Sequence, residues 1–314
     1  MAGGRASVTA AFLAALALSG CAPVGPSGTL PSATVAPAAP APDRPELSET
    51  VRAHFVRQEA TLRARGLMRT DGGTADAPFG VSILARNFER IALYDEYVEE
   101  GGRLLARESP SRLRRWEGPV RMGVEFGAAV PPEQRARDLG SLRNYVARLA
   151  RLTGHPISLV EDLRAANFRI LVLAEEERRG YGPQLTALLP GLDALSLRTI
   201  TGLPLSASCL VLAFARSGSS VYTQAVAVVR AELPDLTRLS CYHEELAQGL
   251  GLPNDYAGAR PSIFNDVQEF ALLTGHDELL LRILYDRRLR PGMTPSEARP
   301  IVRAIATELL GGES

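Results

Sequence analysis

Residues 240–266 read SCYHEELAQGLGLPNDYAGARPSIFND. Tyr242, Leu246 and Leu250 recur at helical spacing, which predicts one buried face of a helix that ends near Gly251. The opposite face carries three polar side chains, Glu244, Glu245 and Gln248. Two turns rich in acids and amides follow this helix, and the rest of the chain can be placed around them.

The register of residues 244–254 resembles the His-Glu-x-x-His-x-x-Gly-x-x-His motif of metzincin zinc peptidases. In that motif the histidines bind zinc, the glutamate is the general base and the glycine lets the chain turn back to the metal. Glu245 stands at the general-base position and Gly251 at the turn. The ligand positions hold Glu244, Gln248 and Asn254. The resemblance implies a zincin-like fold that lacks the zinc ligands.

The similarity continues downstream. Residues 262–265, Ser-Ile-Phe-Asn, resemble the methionine-containing turn beneath the metal, with Phe264 in place of the methionine. The chain also resembles an uncharacterised family of proteobacterial putative lipoproteins, the domain of unknown function 2927. The residues that carry this resemblance are Cys241, 244–246, Gln248, 250–255, 262–266, 284–286 and 291–293. It implies no activity, because the family has none assigned.

A metal at this helix would need other ligands. Glu, Gln and Asn side chains form a poor zinc set, and oxygen ligands suit Ca²⁺ or Mg²⁺ better, although no loop of the required spacing is present. His243 is one residue out of the metzincin register, and the other histidines, His54, His155 and His276, show no ligand spacing. We therefore expect no zinc and no other cofactor.

Three functions remain open for this stretch. The main hypothesis is a non-catalytic binding groove for a peptide, a glycan or an envelope protein, lined by Glu244, Gln248, Asn254, Asp255 and Asn265. The alternative is a divergent hydrolase acting on peptides or peptidoglycan, with Glu245 as the catalytic base. The third possibility is a solvated helix face with a structural role.

Periodicity predicts the remaining elements. Helices are expected over residues 45–66, 79–101, 132–152, 276–285 and 295–310, and strands over 120–126, 157–160, 168–174, 209–215 and 221–230. Residues 175–179 are interpreted as a solvated strand end. This order predicts a single α+β (α/β-like) domain with a mixed sheet and packed helices.

The N-terminus predicts a lipoprotein. Arg5 precedes a short apolar run, and Leu18-Ser19-Gly20-Cys21 resembles the bacterial lipobox. The predicted organisation is a signal peptide (1–20), a Pro/Ala-rich tether lipidated at Cys21 (21–45) and a zincin-like domain (46–314) with an N-terminal helical part (46–115). An ordinary signal peptide cut nearby, or a short buried helix, is the alternative. Ala22 after the cysteine favours the periplasmic side of the outer membrane of a Gram-negative bacterium.

Two further observations limit the possible binding partners and metal ligands. The formal net charge is +0, from 35 basic and 35 acidic residues, which gives no sign of nucleic-acid binding. Cys209 and Cys241 are the remaining cysteines. In an oxidising compartment a disulfide is favoured over a pair of metal ligands, because no CxxC or Cys/His spacing accompanies them.

Overall fold

The computed structural model describes residues 10–11, 44–73, 75–100, 103–265 and 267–311. The predicted lipidation site Cys21, the tether up to residue 43 and Asp266 lie outside these ranges. Of the helices in the described ranges, none combines the length and the apolar character needed to cross a membrane.

A mixed β-sheet forms the centre of the domain. Its strands are β4 (Val120–Phe126), β5 (Ile157–Leu159), β6 (Phe168–Leu173), β7 (Cys209–Ala215) and β8 (Tyr222–Arg230), and a two-residue strand, β1 (Ala10–Ala11), pairs with β7. Their spatial order is β1-β7-β8-β6-β4-β5. Strands β5, β4, β6 and β8 are parallel, while β7 is antiparallel to β8. β6 lies between β4 and β8, which explains why its sequence is apolar apart from Arg169.

Helices cover both faces of this sheet. They are α1 (Arg44–Ala64), α2 (Val81–Ala92), α3 (Pro132–Thr153), α4 (Glu175–Gly180), α5 (Gly182–Leu188), α6 (Ala194–Thr201), α7 (Asp235–Gly251), α8 (Gly275–Leu284) and α9 (Pro295–Gly311). Side chains of β7 alternate between two cores: Cys209 and Val211 belong to the larger one, Leu210 and Leu212 to the smaller one. The larger core contains residues of α2, α3, α7, α8 and α9, and the smaller one residues of α5 and α6. The predicted α+β class, with a mixed sheet and packed helices in one domain, is confirmed.

The helix predicted over residues 79–101 is wrong in its second half. The chain leaves α2 after Ala92 and forms a two-stranded hairpin, β2 (Tyr94–Glu100) and β3 (Arg103–Pro110). Tyrosine and valine in 94–98 favour extended structure, and pairing with the strand that follows next in the chain overrides the apparent helical period. Gly101, the predicted end of the helix, and Gly102 lie outside the described residues.

The prediction of a solvated strand end at residues 175–179 is also wrong, because this stretch forms α4 and Glu175 is buried. Glu175 lies two residues after the end of β6, and Arg230 is the last residue of the neighbouring strand β8. The carboxylate of Glu175 therefore accepts hydrogen bonds from Arg230 and, at 2.7 Å each, from Arg178 and Arg179. We call Glu175, Arg178 and Arg230 the α4 ion cluster.

Candidate functional site

Helix α7, which carries three of the six predicted catalytic and groove residues, is packed against the sheet on its larger-core side. Gly249 allows this close approach, since a Cβ atom there would lie 2.5 Å from the ring of Phe168 on β6. The carbonyl of Gly249 accepts a hydrogen bond of 2.9 Å from the indole of Trp116. Two polar side chains of α7, Glu245 and Gln248, are buried in the protein. They therefore do not belong to the solvated helix face that was the third possibility.

Glu245 is the most unusual side chain of the helix. It is only 5% exposed, and its Oε2 atom has no hydrogen-bond partner among the described residues. Burial and, secondly, the negative charge of Asp255 raise the pKa of Glu245 well above its ordinary value. These surroundings favour the protonated, neutral form of the side chain over the free carboxylate that a general base requires.

The structure brings Glu245 together with Glu244 and Cys209. One carboxylate oxygen of each glutamate and the sulfur of Cys209 all lie within 4.8 Å of one another. Cys209 forms a disulfide with Cys241, which confirms the predicted pair, and the two Cα atoms are 6.0 Å apart. This bridge ties α7 to strand β7 beside the two carboxyl groups.

The remaining predicted groove residues bind the protein itself. Gln248 donates to Asp255 at 3.1 Å, so these two side chains do converge next to Glu245. Asn254 instead donates to the carbonyl of Arg90 at the end of α2, at 2.9 Å. Asn265 donates to two carbonyls of the preceding turn, those of Ala257 and Ala259. The amides of Asn254 and Asn265 thus stabilise the turns after α7.

The second turn is attached to α8. Asp277 accepts hydrogen bonds from the hydroxyl of Ser262 and the backbone N–H of Ile263, while it also caps the helix through Thr274. Phe264 is fully buried in the larger core. The hydrogen bonds to Asp277 and the burial of Phe264 fix the position of the turn.

His243 is excluded as a ligand by its surroundings. Its ring stacks on Tyr145 with centroids 4.0 Å apart, and its Nδ1 atom accepts the backbone N–H of Leu273 at 3.0 Å. Burial lowers the pKa of His243 to about 3, so the imidazole is neutral. It is a packing residue that links α3, α7 and the segment before α8.

Two cavities lie near the sheet edges. A small one of about 20 Å³ is lined by Gln58, Ser208, Cys241 and Glu244, among others. A larger groove of about 480 Å³ lies where β4, β6 and β8 begin, and its described lining residues include Arg121, Arg216 and Asn167 but no carboxylate. We call it the arginine groove. Sequence reasoning missed it, because its residues come from separate segments and share no local pattern.

Comparisons with known proteins place this site within one family. The family described as "Protein of unknown function (DUF2927)" matches residues 82–304, which is well over half of the chain and includes α7 and both following turns. No curated protein and no solved structure matches the chain.

Proposed function

The chain belongs to the DUF2927 family, and from its own residues we propose that it is a cell-envelope lipoprotein whose folded part is a catalytically inactive, zincin-like binding domain. One observation carries the proposal. The side chains at the positions of metal ligands are bonded within the protein: Gln248 to Asp255 and Asn254 to the Arg90 carbonyl. Neither is a histidine, so no nitrogen ligand for a catalytic zinc is available there.

The state of Glu245 supports the same conclusion. A general base must accept a proton from water near neutral pH. Glu245 is enclosed, and its raised pKa disfavours the carboxylate that would accept this proton. A metzincin-like scaffold with a disfavoured carboxylate at the base position and no zinc ligands can bind but is poorly equipped to activate water.

The arginine groove is the better place for a ligand of peptide or glycan size. Ligand sites usually measure about 300–1,000 Å³, and the groove, at about 480 Å³, falls in this range. The cavity beside Glu244 has room for about one water molecule. Because the groove offers two guanidinium groups and no carboxylate among its described lining residues, we infer an anionic envelope polymer such as peptidoglycan as the ligand class.

Metal analysis and a cleavage assay test the inactive assignment. We expect the purified, oxidised protein to contain no stoichiometric zinc and to cleave neither casein nor peptidoglycan. Zinc near one equivalent per chain, or cleavage that depends on Glu245, would contradict the proposal.

Co-sedimentation with peptidoglycan sacculi tests the ligand and its place. The wild-type protein should sediment with sacculi at low salt, and Arg216→Ala combined with Arg121→Ala should reduce the bound fraction. Glu244→Gln and Arg179→Ala are the controls and should bind like the wild type, since Glu244 lines the small cavity and Arg179 belongs to α4. Equal binding by the double variant would exclude the arginine groove.

The envelope location is tested by lipid labelling. We expect radioactive palmitate to enter the wild-type protein in a Gram-negative host and Cys21→Ala to abolish both labelling and membrane attachment. Unchanged labelling of the variant would contradict lipidation at Cys21.

One observation favours the second candidate, a divergent hydrolase on peptides or peptidoglycan. A buried carboxyl with an unpaired oxygen stands at the general-base position, and such unpaired groups often mark reactive sites. This candidate requires cleavage activity that Glu245→Gln abolishes while the variant keeps the wild-type circular dichroism spectrum. An unchanged rate in that variant would exclude Glu245 as the base.

A further inference from the structure

The cluster of Cys209, Glu244 and Glu245 contains an oxygen that no protein group uses. The Oε2 atom of Glu245 is enclosed without a donor among the described residues, on a side chain 95% buried. A native protein rarely keeps a buried carboxyl oxygen unbonded unless the site has a further role. Because oxygens of both glutamates and the Cys209 sulfur lie within 4.8 Å of one another, these groups can all reach one ion.

The disulfide places a second sulfur, that of Cys241, beside this cluster. Cys241 precedes Glu244 and Glu245 by three and four residues on α7, so it lies on the same helix face one turn earlier. Its partner Cys209 begins β7, and the Cα atoms are 6.0 Å apart. In the oxidised protein both sulfurs are bonded to each other and neither is available to a metal.

A small cavity borders the cluster on the side of Cys241 and Glu244. It has a volume of about 20 Å³, which suffices for one particle the size of a water molecule. Cys241, Glu244 and Ser208 line it, and Ser208 lies 3.6 Å from each sulfur. The Oε1 atom of Gln58, another lining residue, also has no partner among the described residues.

We propose that reduction of the Cys209–Cys241 disulfide converts this cluster into a zinc site with two thiolate ligands and carboxylate oxygens from Glu244 and Glu245. Two thiolates select Zn²⁺ over Ca²⁺ or Mg²⁺, and two sulfurs with two oxygens complete a tetrahedron. The oxidised protein remains free of zinc, in agreement with the proposed function.

The chemical step balances with a dithiol as the reductant. The dithiol gives two electrons to the disulfide and is itself oxidised to a disulfide, while the sulfurs of Cys209 and Cys241 each take up one proton. Zinc then displaces the protons from both thiols when it binds. The site therefore forms only when the redox state of the surroundings changes.

Metal binding by reduced and oxidised protein tests the proposal. The intact folded domain is reduced with a phosphine in the presence of Co²⁺ or Zn²⁺ and freed of excess metal. We expect one metal per chain after reduction and none without it, and the Co²⁺ form should show thiolate-to-cobalt absorption. Zinc in equal amount in both redox states, or none in the reduced protein, would overturn the proposal.

Variants identify the ligands. Replacing both cysteines (Cys209→Ser with Cys241→Ser) should abolish binding, and Glu245→Gln should weaken it about tenfold or more. Glu59→Gln is the matched control: its carboxylate borders the same cavity but already accepts from Thr237 and pairs with Arg63, so zinc affinity should not change. Equal affinity for Glu245→Gln and the wild type would remove Glu245 from the ligand set and overturn the site as proposed.

A melting experiment covers the case in which reduction loosens the fold. A metal bound to the native site stabilises it, whereas binding to unfolded thiols does not. Zinc should raise the melting temperature of the reduced wild type, and not that of the reduced Glu245→Gln variant or of the oxidised protein. No rise in the reduced wild type would contradict the proposal. The proposed binding function could still hold, since it concerns the arginine groove of the oxidised protein.

Discussion

Two buried glutamates of this protein, Glu175 and Glu245, have nearly the same exposure and opposite electrostatic surroundings. Glu175 lies among Arg178, Arg179 and Arg230 at the edge of the sheet. Glu245 has no cation bonded to it among the described residues and keeps one oxygen unbonded. Burial alone would raise the pKa of Glu175, but the hydrogen bonds from Arg178 and Arg179 and the charge of Arg230 outweigh it, so this pKa is lowered.

The difference separates a structural role from a candidate functional one. A buried carboxylate with bonded arginines stabilises the connection between β6, β8 and α4, and it leaves no capacity for a ligand. A buried carboxyl without a donor costs stability and is available for a proton or a cation. Four predictions test this contrast, from the largest expected effect to the smallest.

Removing the charge of Glu175 should have the largest effect. Glu175→Gln leaves Arg178 and Arg230 buried without their anion, and we expect a loss of about 3–5 kcal/mol in the free energy of unfolding. Urea denaturation measures this loss. Arg179→Ala is the control: its side chain is 60% exposed, so its loss should stay below about 1 kcal/mol. Similar small losses in both variants would mean that the α4 ion cluster does not stabilise the fold.

The disulfide holds the region around Glu245 in place, whereas ion pairs hold the region around α4. Reducing the Cys209–Cys241 disulfide in the presence of a chelator should lower the free energy of unfolding by about 3 kcal/mol, because the bridge closes a loop with a sequence separation of 32 residues. Chemical denaturation with and without reductant measures this. The variant with both cysteines replaced by serine should show no response to reductant.

Gly251, at the end of α7, should tolerate no side chain. Its φ is +130°, and a Cβ atom would lie 2.3 Å from the carbonyl oxygen of Arg114. Gly251→Ala should therefore cost about 1–3 kcal/mol in thermal or chemical unfolding. Gly140→Ala in α3 meets no atom within 4 Å and should stabilise by about 0.5–1 kcal/mol. Equal effects of the two changes would contradict the close approach of α7 to Arg114.

The two glutamates should give opposite pH dependences. The raised pKa of Glu245 means that stability relative to Glu245→Gln is largest below the unfolded-state pKa of about 4.3 and is lost as pH rises, with a slope of up to about 1.4 kcal/mol per pH unit. The lowered pKa of Glu175 has the reverse sign: its contribution is present above about pH 4.3 and is lost as pH falls through its folded-state pKa. Urea denaturation from about pH 2 to 8 measures both, the Glu245 effect above about pH 4.3 and the Glu175 effect below it. Slopes of the same sign in the two windows would contradict the contrast.

The sequence predicted much of the fold, because periodic apolar patterns decide it. The confirmed strands β4, β6, β7 and β8 each have a continuous or alternating apolar pattern, and α3, α7 and α9 have clear helical periods. The hairpin β2–β3 was missed because its two charged strands, YDEYVEE and RLLARESP, lack an alternating apolar pattern, and because the glycine pair between them also fits the end of a helix. α5 and α6, which cover the second face, are too short for a periodic signal.

The candidate site was predicted less completely. The polar residues of α7 were found from their register against a known motif, and the disulfide from compartment and cysteine number. The burial of these polar residues could not be predicted. An amphipathic sequence pattern is the same whether the polar face of the helix is exposed to solvent or is covered, as here, by α1 and by the turns after α7. Cys209 and Glu245 lie 36 positions apart in the chain, so their proximity appears only once β7 and α7 are packed together.

The protonation state of Glu245 in the oxidised protein decides most directly between a binding domain and a hydrolase. Infrared difference spectra of the wild type and Glu245→Gln at neutral pH measure it. We expect the carbonyl band of a protonated carboxylic acid in the wild type and its disappearance in the variant. A carboxylate band assigned to Glu245 at neutral pH would contradict the neutral acid and return the residue to the role of a general base.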